Sequence, residues 1–145
     1  MNGWHNWFDQ NGQKENAERE ILMYCRGIRG ATTVDHNDRE EILAATTELL
    51  RLIVFENNLL VEDIASVSFT VTEDLDAVFP AQAARQMGWH EVALMCMREI
   101  PVPNSLGKCI RVLLLVNTTR SASEMQHVYI RGAASLRPEF EPLTQ

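Results

Sequence analysis

The sequence predicts an α+β fold: a mixed β-sheet carrying two main helices. Three observations support this. Ile42, Ala45, Thr46, Leu49, Leu52 and Ile53 fall at helical spacing and form one apolar stripe. Val67, Phe69 and Val71 alternate with Ser66, Ser68 and Thr70, the two-residue period of a half-buried strand. "KCIRVLLLVN", residues 108–117, is apolar on both faces except for Arg111, as expected of a strand covered on both sides.

Residues 1–20 are rich in Asn, Gln, Gly and charge and show neither period. They are expected to be a mobile extension, with Trp4, Trp7 and Phe8 as the exception to its polar composition. The folded domain is assigned to 21–138 and a short tail to 139–145. "ILMYCRGIRGATTV" is a strand entering a turn, and "DHNDREE" starts the long helix with Asn37 as N-cap and Glu40 three residues later. Asn57 and Asn58 end that helix, and "DIASVSFTVT" is the second strand. After an acidic turn, Pro80 takes a first helical position, and "AQAARQM" is a short helix stopped by Gly88. "HEVALMCMRE" and "GKCIRVLLLVN" are strands, "SASEMQ" is a helical turn, and "HVYIRGAASL" is a closing strand. The order is βαβαββ plus that last strand, without repeats or a linker.

A length of 145 residues suits one domain with a real core. The net charge of −7 argues against a nucleic-acid or anionic-membrane surface, so an anionic ligand would need a local positive pocket. Eleven of the 13 basic residues are Arg, the better side chain for gripping carboxylates, although genomic base composition alone produces such a bias. Cys25, Cys96 and Cys109 are odd in number and set among apolar residues, which indicates reduced core thiols in a cytoplasmic protein. No metal-ligand spacing, membrane-length apolar run or secretion signal is present in the sequence.

The informative residues are polar ones in apolar strands. Arg111 cannot shed its proton, so it needs an anionic partner. Arg29 lies between glycines, Glu99 ends the third strand, Tyr129 lies in the last strand and Arg85 on the short helix. A closed Arg111–Glu99 ion pair would explain two of them without any function. Two buried arginines against one carboxylate instead favour an external anion. No phosphate loop and no Ser–His–Asp grouping is present, and no histidine is placed for acid–base work. The set suits anion binding, or a reaction driven by positioning and electrostatics without proton transfer.

In order, "RGIRGATTV", "DLDAVFPAQAAR", "GW", "CMRE", "KCIRV", "HVYI" and "LRPE" resemble the monofunctional chorismate mutases of the Bacillus (AroH) type, over residues 23–138. The resemblance implies a homotrimer around a central pseudo α/β barrel, with active sites between subunits. It implies a cofactor-free Claisen rearrangement of chorismate to prephenate in phenylalanine and tyrosine biosynthesis, with no covalent intermediate and no metal. By the same resemblance Arg111 holds the ether oxygen, Glu99 the ring hydroxyl with Cys96 nearby, and Arg29 and Tyr129 a substrate carboxylate. Phe79, Ala81 and Arg85 would come from the adjacent protomer, Leu94 and Met95 would line the site, and Leu136 and Arg137 would come from the tail. Gln82 departs from the family pattern, which has lysine there, and residues 1–20 have no counterpart. Two other readings remain at this level: a trimeric binding protein for an aromatic-pathway carboxylate, and an interaction domain with a closed Arg–Glu pair. The joint presence of Glu99 and Arg111 favours the enzyme, and the length favours one without a fused regulatory domain.

Overall fold

The computed structural model describes residues 22–137. The expectations for 1–20 and 139–145 lie outside the described residues. Five strands form one sheet: β1 (Tyr24–Thr33), β2 (Ile64–Val71), β3 (Ala93–Arg98), β4 (Cys109–Thr118) and β5 (Val128–Tyr129). Helix α1 (Arg39–Glu56) joins β1 to β2, and α2 (Ala81–Gln86) joins β2 to β3. The spatial order is β3-β2-β4-β1-β5. β4 is antiparallel to both β1 and β2, while β2–β3 and β1–β5 are parallel. The sheet is therefore mixed, as the sequence pattern indicates.

This topology determines which face is covered. β1 and β2 run the same way on either side of β4, so α1 is a crossover between parallel strands, and α2 is another. Both crossovers step toward the β3 edge, and right-handed crossovers moving in one direction put their helices on one face. The main core forms there: Ile28, Val67, Phe69, Val112 and Leu114 of the sheet pack against Leu49, Leu50 and Ile53 of α1. Gly30 faces this layer. A Cβ on it would lie 2.9 Å from Ile53 Cδ1 and 3.1 Å from the Val128 carbonyl oxygen, so its absence lets α1 and β5 approach β1 closely.

Among the described residues, no α-helix covers the other face. Met95 is 62% exposed, Met97 41% and Leu113 44%, so within one chain the β4 strand is not covered on both sides as its composition predicts. Among the described residues, the Cys109 end of this face is the part that is closed, where Ala31, Cys109 and Ala133 form a small cluster with Tyr129 and Leu136.

Two boundaries differ from expectation. The α1 N-cap is Asp38, whose carboxylate accepts from the Glu41 amide, so the cap lies one residue after Asn37. Asn37 instead accepts from the amides of Asp76 and Ala77 and donates to Asp76 Oδ1, tying the helix start to the loop before α2. The closing strand is only two residues long, because Arg131 takes a positive φ of 53° and residues 131–136 continue as 3₁₀-helix. The Gly132 amide donates to Thr33 Oγ1 there, folding this segment back over the end of β1.

Candidate active site

Arg111 lies in mid-sheet on the open face, opposite Thr70 of β2 and Ala31 of β1. Tyr129 pairs with Ala31 on the far side, and Glu99 follows β3 on the near side, its amide bonded to the Val71 carbonyl. The alternation of adjoining strands therefore places Glu99, Thr70, Arg111 and Tyr129 in one row across the sheet. Arg111 is half-buried, with 37% of its side chain exposed, where the strand pattern predicts burial. Its Nε is inaccessible and makes no hydrogen bond, although Glu99 Oε2 lies 3.5 Å away. That ion pair is loose, since Glu99 is engaged elsewhere: Thr70 Oγ1 donates to it at 2.8 Å and the Ile100 amide at 3.0 Å. The Thr70 hydroxyl, followed by the Ile100 amide and Arg111, holds the Glu99 carboxyl below its ordinary range against the opposing effect of burial, so it is ionised at neutral pH. The arrangement presents a fixed cation and a fixed anion on one surface, not a pair closed on itself.

Positive charge continues toward β5. The Arg29 amide donates to His127 Nδ1 at 2.9 Å, which makes that ring nitrogen an acceptor. Burial lowers the His127 pKa, and the nearby Arg29 and Arg137 cations lower it further. Arg29, Arg137, Tyr129 and Leu136 thus lie at the same end of the sheet as Arg111.

The remaining candidates sit elsewhere. Cys96 pairs with the buried Phe69, and Cys96 and Leu94 pack against the helix-side core, so both point away from the Arg111 face. Burial raises the Cys96 thiol pKa, and the Ala81 amide and Arg85 lower it only in part, so the thiol is neutral at pH 7. Ala81 is buried while Phe79 and Arg85 are exposed. A cleft of about 490 Å³ opens at this edge, lined by Phe79, Pro80, Gln82, Cys96, Met97 and Arg98 with Arg39 of α1. Met95 projects from the open face instead. One chain therefore carries two separate groups: Arg111, Glu99, Tyr129 and the Arg29 region on one side, and Phe79, Ala81, Arg85 and Cys96 on the other. Among the described residues, no group of His, Cys, Asp and Glu is arranged to hold a metal ion, and no helix is long and apolar enough to cross a membrane.

A family model described as "Chorismate mutase type I" matches residues 25–140. The chain belongs to the type I chorismate mutases. It is 51% identical to chorismate mutase AroH of Thermus thermophilus over 117 residues, 80% of this chain and 96% of the relative. It is 45% identical to chorismate mutase AroH of Bacillus subtilis over 119 residues, 81% of this chain and 94% of the relative. A solved chorismate mutase from Clostridium thermocellum superposes with a TM-score of 0.74 at 55% identity, covering 75% of this chain and 97% of the other. The protein is thus a chorismate mutase, an enzyme of aromatic amino-acid biosynthesis.

Pattern reading missed some residues around this candidate site. Thr70 reads as the polar side of an alternating strand, and nothing local announces that it holds Glu99. His127 likewise reads as a scattered histidine, because its partner is a backbone amide 98 residues earlier. Arg39 did carry a signal: it is a cation in the first turn of a helix, where acidic residues are favoured.

Proposed function

We propose that this chorismate mutase acts as a homotrimer around a central pseudo α/β barrel. Each active site then joins the open sheet face of one protomer to the α2 cleft of the next. The observation that carries this reading is the opposed placement of the two residue groups: no single chain brings Arg85 and Cys96 to the Arg111 face. The exposed Met95, Met97 and Leu113 on that face support it, since an uncovered apolar sheet surface marks an association site. A heterologous contact of this kind closes into a ring of three when each step rotates by a third of a turn.

In such a site Arg111 holds the ether oxygen of chorismate, on which negative charge grows as the C–O bond breaks. Glu99 accepts the ring hydroxyl and balances positive character in the ring, with Cys96 of the adjacent protomer lining the wall. Arg29 and Tyr129 bind a carboxylate. Phe79, Ala81 and Arg85 close the site from the neighbour beside the Leu94–Met95 backbone, and Leu136 and Arg137 border it from the C-terminal segment. The rearrangement to prephenate moves no proton, so the protein contributes preorganised charge and selection of a compact substrate conformer. Chorismate is the only molecule the step requires. The domain is taken as 21–138, and three unpaired cysteines suit the cytoplasm, with Cys109 in the core but Cys25 exposed, contrary to the expectation of a core thiol there.

Sedimentation combined with a turnover assay tests the reading. The wild-type protein is expected to sediment as a trimer that converts chorismate to prephenate, with Arg111→Ala trimeric and nearly inactive. A fully active monomer would overturn the shared site.

A further inference from the structure

We propose that Arg39 is an additional substrate-binding residue, gripping a carboxylate of the substrate at the mouth of the α2 cleft. The inference rests on that cleft forming half of the active site. Arg39 is the first residue of α1, where the positive end of the helix disfavours a cation, and Asp38 already supplies the cap. Local folding therefore gives no reason for an arginine at this position.

Its side chain leaves the helix for the cleft. Nη1 donates to Gln82 Oε1 on α2 at 3.3 Å, and both residues line the cavity with Phe79 and Cys96. Its other polar contact is an exposed pair, Nε to Glu40 Oε1 at 3.5 Å, with both side chains about half-exposed or more. Such a pair is easily exchanged for a better anion. Arg98, which also lines the cleft, donates to the Thr72 carbonyl, and Asp76 accepts from Asn37. Arg39 is thus the lining cation held only by a neutral amide and a solvated carboxylate.

Gln82 brings no charge to the cleft, but its amide oxygen holds the guanidinium over the opening. A planar, fixed fork suits a carboxylate, and a chain of net charge −7 needs a local attractor for an anion. The cation contacts the incoming substrate and not the bonds that rearrange, so it acts on capture.

The test uses the full chain with chorismate in steady-state kinetics at several salt concentrations. Arg39→Gln is expected to raise KM about 5- to 30-fold and to leave kcat within about twofold, with a shallower dependence of kcat/KM on salt. Arg39→Lys should keep most of the salt dependence. Adding Gln82→Lys to Arg39→Gln should lower KM again by returning a cation to the cleft. The thermal midpoint should not fall in Arg39→Gln, since a cation leaves the helix start. An unchanged KM and salt slope in Arg39→Gln, or a loss confined to kcat, would overturn the proposal. Turnover by the wild type, lost in Arg111→Ala, shows that such a failure belongs to Arg39 and not to the site as a whole.

Discussion

Arg111→Lys preserves charge and removes geometry, so it isolates what the half-buried strand position contributes. In the folded chain the backbone of β4 fixes the guanidinium beside Glu99, with Nε out of contact with water. Lysine would place one flexible ammonium near the same carboxylate and lose the planar fork. Deleting a preorganised donor at a developing oxyanion typically costs about 2.7–4 kcal/mol of transition-state stabilisation, or about 10²- to 10³-fold in kcat. Folding should hardly notice, because the Arg111 side chain is 37% exposed and its ion pair is loose, which limits the pair to about 1 kcal/mol. The assay is the absorbance loss of chorismate under saturating substrate, with a urea midpoint measured on the same preparation. The expected result is a kcat at least about 100-fold down and a midpoint nearly unchanged. Turnover within about threefold of wild type in a folded Lys variant would remove Arg111 from the mechanism.

Other outcomes follow from the same structure. With no proton transferred and His127 neutral, kcat should be nearly level between about pH 6.5 and about pH 8.5, and a bell in that window would point to acid–base chemistry. Stability behaves differently. The folded pKa of His127 lies below its ordinary 6.5, so its contribution is full above about pH 6.5 and is lost as pH falls through the lowered value. Glu99, lowered from 4.5, adds a further loss on stronger acidification. A thermal midpoint that stays level from about pH 7 to about pH 4.5 contradicts the first, and one that stays level on further acidification contradicts the second. Leu113→Asp, on the open face, should dissociate the assembly and abolish turnover in a still-folded chain, read by light scattering and circular dichroism. Gly30→Ala would put a Cβ 2.9 Å from Ile53 Cδ1 and should lower stability by about 1–3 kcal/mol in urea unfolding.

Much of this was legible in the sequence because periodicity records which faces are apolar. The α1 stripe and the alternation in β2 correspond to one helix and one half-buried strand. The Arg111 strand was legible as an anomaly, and so was its excess of positive charge. Other features depend on contacts between distant residues. Asn37 and Asp38 both stand three residues before a glutamate, and only the Asp76–Ala77 loop, which occupies Asn37, leaves the cap to Asp38. "HVYIRGAASL" has the composition of a strand, yet the left-handed Arg131 turns it after two paired residues. Cys96 and Glu99, an odd number apart around a strand end, cannot share a face. Placing them together required a second chain that a single-chain pattern does not display.

That second chain is the central claim, and subunit exchange tests it most directly. Arg111→Ala protomers lack one half of the site and Arg85→Ala protomers the other. Each variant alone should be nearly inactive. Unfolded together at equal amounts and refolded, they should regain about a quarter of wild-type activity, since one neighbour pair in four then joins two intact halves. If both residues serve the same protomer's site, every site in the mixture is damaged. Activity no higher than that of the two parent variants would contradict the shared active site.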